Sequence, residues 1–110
     1  MRITAAIAIA ILTSFADASR GAQAHAVPDH ASPRVGSTVQ NAPHEIILWF
    51  TEALEPAFSR IEVRSANGAR VNIGKAQVDR ADRTKLRVPL KSLLPGSYKV
   101  FWQGDCPGEC

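Results

Sequence analysis

Residues 44–66 read HEIILWFTEALEPAFSRIEVRSA, and the change of period within them decides the fold. Residues 45–51 are a near-continuous apolar run rich in β-branched and aromatic side chains, which predicts a strand buried on both faces. Residues 58–65 alternate instead. Ile61 and Val63 fall on one side and Arg60, Glu62 and Arg64 on the other, the pattern of a strand with one wet face. Between them, Glu52-Ala53-Leu54-Glu55-Pro56 leaves the sheet, because Pro56 has no amide to give a ladder. The first strand therefore delivers a carboxylate, Glu52, to its end beside a loop, where it could face a ligand.

Outward from this pair the same grammar continues. Residues 25–33 are too Pro-rich for a helix and suit an extended edge strand. Arg34-Val35-Gly36-Ser37 is a turn, and Thr38-Val39 a short pairing segment. Asn67-Gly68 is a hairpin signal in which both positions tolerate positive φ, and it returns the chain into residues 70–73 with Val71 and Ile73 expected inward. Residues 74–83 are polar, with a short strand at Gln77-Val78. Residues 84–90 alternate again, Leu86, Val88 and Leu90 against Lys85 and Arg87. Leu93-Leu94-Pro95-Gly96 turns into a last strand carrying Tyr98, Val100 and Trp102 on one face. A Tyr just after a Pro-Gly turn is the position of a tyrosine corner. No segment of residues 25–110 holds a helical period over ten residues. Six or seven short strands between turns predict an all-β, Ig-like Greek-key sandwich or barrel.

The amino-terminal segment has the anatomy of a secretory signal peptide. Met1-Arg2 is a short basic start, and residues 3–15 are an apolar run too short to span a bilayer. Ala16-Asp17-Ala18 and Ala22-Gln23-Ala24 are two small-residue cleavage patterns. The competing reading, an amphipathic first helix, lacks a helical stripe. The chain thus divides into a leader, residues 1–24, and one domain, residues 25–110. Cleavage after either Ala18 or Ala24 fits the residues. Without Arg2, Arg20 and Asp17 the net charge falls from +3 to +2, too mild and too scattered for a nucleic-acid partner. Cys106 and Cys110, the two cysteines, sit close together near the end. An exported pair of this kind reads as a disulfide or an unstructured pair rather than as a metal site, since a lone C-x-x-x-C is half of a zinc motif.

Several of these stretches together resemble the periplasmic copper-resistance protein C (CopC) family. They are His25-Ala26, Asp29-His30-Ala31-Ser32-Pro33 and Val35-Gly36-Ser37, then Leu48-Trp49-Phe50-Thr51-Glu52 and Glu55-Pro56-Ala57-Phe58-Ser59. Leu94-Pro95-Gly96-Ser97-Tyr98-Lys99-Val100 and Trp102 complete the set. The resemblance implies a small Greek-key β-sandwich that binds Cu(II) in the periplasm and sequesters it or hands it to an inner-membrane transporter of the CopD type. It makes an amino-terminal His the first ligand, which favours cleavage after Ala24 and assigns the metal to His25, with Glu52 assisting. The chemistry suits that role, since a terminal His offers α-amine and imidazole Nδ1 together, and N/O donors in tetragonal array favour Cu(II). Binding displaces protons from both, so affinity falls in acid.

The departures are as informative. After its Trp the family continues with an Asp and a His two residues apart, then a further strand. Here Trp102 is followed by QGDCPGEC, which reads as a truncation or frameshift with the last strand missing. Asp105 stands in a context that does not match the family's Asp and is not counted as a ligand. A Met-rich Cu(I) loop is absent.

The remaining candidates have plainer readings. His30 reads as a hydrogen-bonding or surface residue and His44 as a solvated turn residue, while Trp49, Phe58, Tyr98 and Trp102 read as core. No Ser/His/Asp or Cys/His nucleophile arrangement and no Gly-rich phosphate loop is visible, so an enzyme is not expected. The alternative to a copper protein is a metal-free β-sandwich interaction module, or a truncated fragment without function.

Overall fold

Strand β4 (Glu45–Phe50) is the spine of one sheet, pairing antiparallel with β2 (Pro28–Ser32) on one side and β7 (Lys85–Pro89) on the other. β6 (Gln77–Val78) extends that sheet beyond β7, giving the order β2-β4-β7-β6. The second sheet has the order β3-β1-β8-β5, from β3 (Thr38–Val39), β1 (Ala5–Ile9), β8 (Gly96–Gln103) and β5 (Arg60–Ser65). The chain crosses between sheets from β4 to β5 and again from β7 to β8, as in a Greek-key sandwich. This is a computed structural model, and it describes the backbone of residues 5–9 and all of residues 25–108. Both signal-cleavage patterns and Cys110 lie outside the described residues. Among the described residues no helix is long and apolar enough to cross a membrane.

The core lies between the two sheets. Ile46, Leu48 and Phe50 from β4, Ile61 and Val63 from β5, Leu86 and Val88 from β7, and Tyr98 and Val100 from β8 are all buried there. Those of β5, β7 and β8 obey the period of two read from the sequence, and those of β4 alternate as well. A fully buried aliphatic side chain of this kind contributes roughly 1.5–3 kcal/mol. Tyr98 closes the corner as expected, its hydroxyl donating to the Leu94 carbonyl.

Four local expectations are corrected. β4 is buried on one face only. Its other face, Glu45, Ile47 and Trp49, is half-covered, because β4 belongs to a two-sheet sandwich and has one interior side. Trp49 uses that outer face to stack on His30, with ring centroids 4.4 Å apart, while the Lys85 ammonium lies 5.4 Å from its ring. Phe58 is exposed, since it ends the 3-10 turn Pro56–Phe58 that carries the chain out of the sheet.

In the hairpin after β5, Gly68 alone takes positive φ, at 86°, and its amide closes the turn on the Ser65 carbonyl. The return segment then keeps the expected facing at Val71, which packs against the core, but not at Ile73. Asn72 is buried, with Val71 half-buried and Ile73 exposed. The register is fixed by the Asn72 side chain, which accepts from the Val63 amide at 3.0 Å and donates to the Gly74 carbonyl at 3.0 Å. A satisfied amide at that point outweighs the burial of Ile73.

Candidate metal centre

Four segments meet at the end of the sandwich where β4 runs out. Thr51 donates its amide to the Val27 carbonyl at 2.8 Å, which lays the start of the Glu52 loop beside the segment carrying His25. The Ala26 amide donates to the Gly104 carbonyl at 3.0 Å, and His25 and Asp105 form an antiparallel bridge. The Glu55 amide donates to the Asp105 carbonyl at 2.7 Å, while the Leu54 amide reaches Arg83 at 2.8 Å. The Ser59 hydroxyl, buried below the loop, donates to the Glu55 carbonyl at 2.8 Å. The Thr51, Leu54 and Glu55 amides thus find partners on three neighbouring segments, which hold the loop in place without regular structure.

That framework sets two side chains against one another. His25 Nδ1 and Asp105 Oδ1 are 2.8 Å apart, with the imidazole 48% exposed and the carboxylate 1% exposed. Asp105 Oδ2 accepts from Gln103 Nε2 at 3.0 Å, so both carboxylate oxygens are satisfied despite complete burial. A carboxylate only accepts, so Nδ1 carries the proton between the two groups, and the ring's orientation is set by Asp105. Gly104 makes the arrangement possible. A Cβ there would lie 2.4 Å from Phe50 Cε2, and the Phe50 ring is itself fixed edge-on to Trp102, with centroids 5.5 Å apart. Cys106, next in the chain, is buried and disulfide-bonded.

The candidates separate clearly. His25 contacts Asp105, whereas Glu52 follows Thr51 in the adjoining loop, exposed and without a hydrogen bond or ion pair to any described residue. The carboxylate that touches His25 is Asp105, which the sequence reading set aside. His30 bonds Asp29 Oδ2 at 2.9 Å and stacks on Trp49, away from His25 in role as well as in partner. His44 is exposed at the start of β4. Among the described residues no group of three or more His, Cys, Asp or Glu side chains could hold a metal ion. Any ion held at His25 would therefore take two protein side chains, complemented by backbone or solvent donors.

Comparison with known proteins bears on the same region. The family model described as the CopC domain matches residues 29–104, most of the described domain. The chain belongs to the CopC family. Protein YobA of Escherichia coli K12 is 34% identical over 96 residues, covering 86% of this chain and 77% of the relative. The copper transport protein CutJ of Bacillus subtilis strain 168 is 32% identical over 80 residues, covering 72% of this chain but 15% of that much longer protein. The crystal structure of CopC from Methylosinus trichosporium OB3b shares the fold, with a TM-score of 0.59 over 71% of this chain and 92% of that one, at 21% identity. The CopC match begins four residues after His25 and ends one residue before Asp105. The two side chains that meet in the site thus flank the family domain at its two ends.

Proposed function

We propose that this CopC-family chain binds one Cu(II) ion as cargo at His25 and holds it or hands it on in the periplasm. The observation that carries the reading is the His25 Nδ1–Asp105 Oδ1 spacing of 2.8 Å. Two cis donors, each about 2.0–2.1 Å from one ion, stand roughly 2.8–3.0 Å apart. The proton that bridges the pair occupies the site a metal would take, and metal binding exchanges one for the other. Cleavage after Ala24 would add the His25 α-amine to the same ion. An imidazole, an amine and a carboxylate make an N/O donor set of the kind Cu(II) prefers. The absence of a soft thiolate or thioether from that set argues against Cu(I) as the cargo at this position.

The relatives support the reading at a coarser level, one of them being named a copper transport protein. Glu52, exposed at the start of the neighbouring loop, is given no direct bond to the ion in this reading and only a weak electrostatic attraction for it. The exposed imidazole edge leaves the site open to exchange with a partner, for which an inner-membrane transporter of the CopD type is the candidate. No catalytic step is assigned to the site.

Native intact mass of the protein recovered from its own periplasm tests this directly. A mass for residues 25–110 with one copper is expected. A metal-free chain, or one that begins at Ser19, would count against the terminal-His site.

A further inference from the structure

The strand β1 is composed of residues that the sequence assigns to the removable leader, yet it lies inside the second sheet. Ala5, Ala6, Ile7, Ala8 and Ile9 run parallel to β8 in unbroken register opposite Gly96, Ser97, Tyr98, Lys99 and Val100. On its other side Ala5 and Ala6 pair antiparallel with Val39 and Thr38 of β3. The sheet order β3-β1-β8-β5 makes β1 the link between β3 and the rest. If β1 is withdrawn, β3 loses its strand partner and five residues of β8 lose one side of their ladder. An open strand edge of that length is a template for another extended chain.

We propose that the lane between β3 and β8 is a strand-acceptor site, whose ligand is an extended, uncharged strand of small and β-branched residues running parallel to β8. Ala5–Ile9 fills it in cis while the leader is attached, and processing leaves it open to the same strand chemistry in trans. The segment suits the role for a physical reason. AAIAI contains no Pro, so every residue can donate its amide, and no Gly, so the extended backbone is not taxed by extra chain entropy. It also carries no charge to bring into the sheet, where one edge is paired from Ala5 to Ile9 and the other at Ala5 and Ala6.

Amide exchange in the full chain tests the proposal, comparing the parent with Ile7→Pro. The variant removes a donor from the middle of β1 and should speed exchange at least tenfold for those amides of Gly96–Val100 that face β1, and not for those that face β5. Amides of Ile46, Ile47 and Leu48, in the other sheet, should stay protected. A lysine-flanked peptide of sequence AAIAI, added in excess to the variant and to the processed chain, should restore the lost protection. Unchanged β8 exchange in Ile7→Pro, or failure of the peptide to restore it, would overturn the proposal. Should Ile7→Pro lose its fold altogether, the double variant Ala6→Cys with Ser97→Cys gives an independent answer. These two residues are directly opposed, so a 6–97 disulfide found by peptide mapping supports the lane. Its absence under oxidising conditions refutes it.

Discussion

His25 and Asp105 lie 80 residues apart in the chain and meet through an Nδ1–Oδ1 contact of 2.8 Å. The imidazole is half-exposed and the carboxylate that orients it is buried. If the proposed copper site is right, both side chains contribute to it, which is the source of the first prediction. Asp105→Asn keeps the shape but removes the anionic oxygen beside Nδ1. It should weaken Cu(II) binding by at least about tenfold, the least that loss of even an outer partner costs, measured by competition with a chelator of known affinity. Glu52→Gln, which touches no described partner, should change affinity by less than about threefold, well under the 1.4 kcal/mol that a tenfold change represents.

Gly104 carries the second. Its replacement by Ala places a methyl 2.4 Å from the Phe50 ring, and Phe50 cannot retreat without disturbing its edge contact with Trp102. Overpacking of this kind costs about 1–3 kcal/mol. Chemical denaturation should show that loss, and Cu(II) affinity should fall with it, because Gly104 sits between the two residues, Gln103 and Asp105, that hold the carboxylate in place.

A third concerns the buried amide of Asn72. Asn72→Ala leaves the Val63 amide without its acceptor and the Gly74 carbonyl without its donor. The expected cost is about 1–3 kcal/mol for each buried group left unsatisfied, read from the denaturation midpoint. Asn72→Leu should not rescue it, which separates hydrogen bonding from volume.

The fourth is a pH dependence. The Ala81 amide, with help from Arg87 and Lys85, holds the Asp79 carboxyl below its ordinary value of 3.8. The hydroxyl and amide of Thr84 do the same for Asp82. Each group binds fewer protons folded than unfolded, so each contributes stability above pH 3.8 that is lost as pH falls through the lowered value. The denaturation midpoint should therefore drop between pH 5 and pH 2, and the drop should be shallower in Asp79→Asn. An equal slope in that variant would show that Asp79 does not take part.

Much of the fold was legible in the sequence because sandwich strands obey a period of two. The inward residues of β5, β7 and β8 were read correctly from alternation alone, as was the Tyr98 corner. Alternation failed where a polar side chain set the register, at Asn72, since pattern reading favours the apolar neighbours Val71 and Ile73. It failed also for Phe58, because composition cannot tell a core aromatic from one thrown outward by a 3-10 turn. At the site, His25 could be nominated from chemistry and resemblance, whereas Asp105 could not. Its surrounding residues carry no motif, and its proximity to His25 arises from the path of β8 past Trp102, a tertiary fact. Glu52 was legible as a strand-end carboxylate, but strand-end position did not reveal which carboxylate faces the imidazole. Ala5–Ile9 reads as part of a leader, and its pairing beside β8 is a tertiary contact that composition does not announce.

The central claim is that His25 is the anchor of a one-copper site, and stoichiometric Cu(II) titration of the processed chain beside its His25→Ala variant tests it most directly. The account predicts one Cu(II) per parent chain, with nitrogen coupling in the electron paramagnetic resonance spectrum, and loss of that binding in the variant. Full-affinity binding by His25→Ala would contradict it.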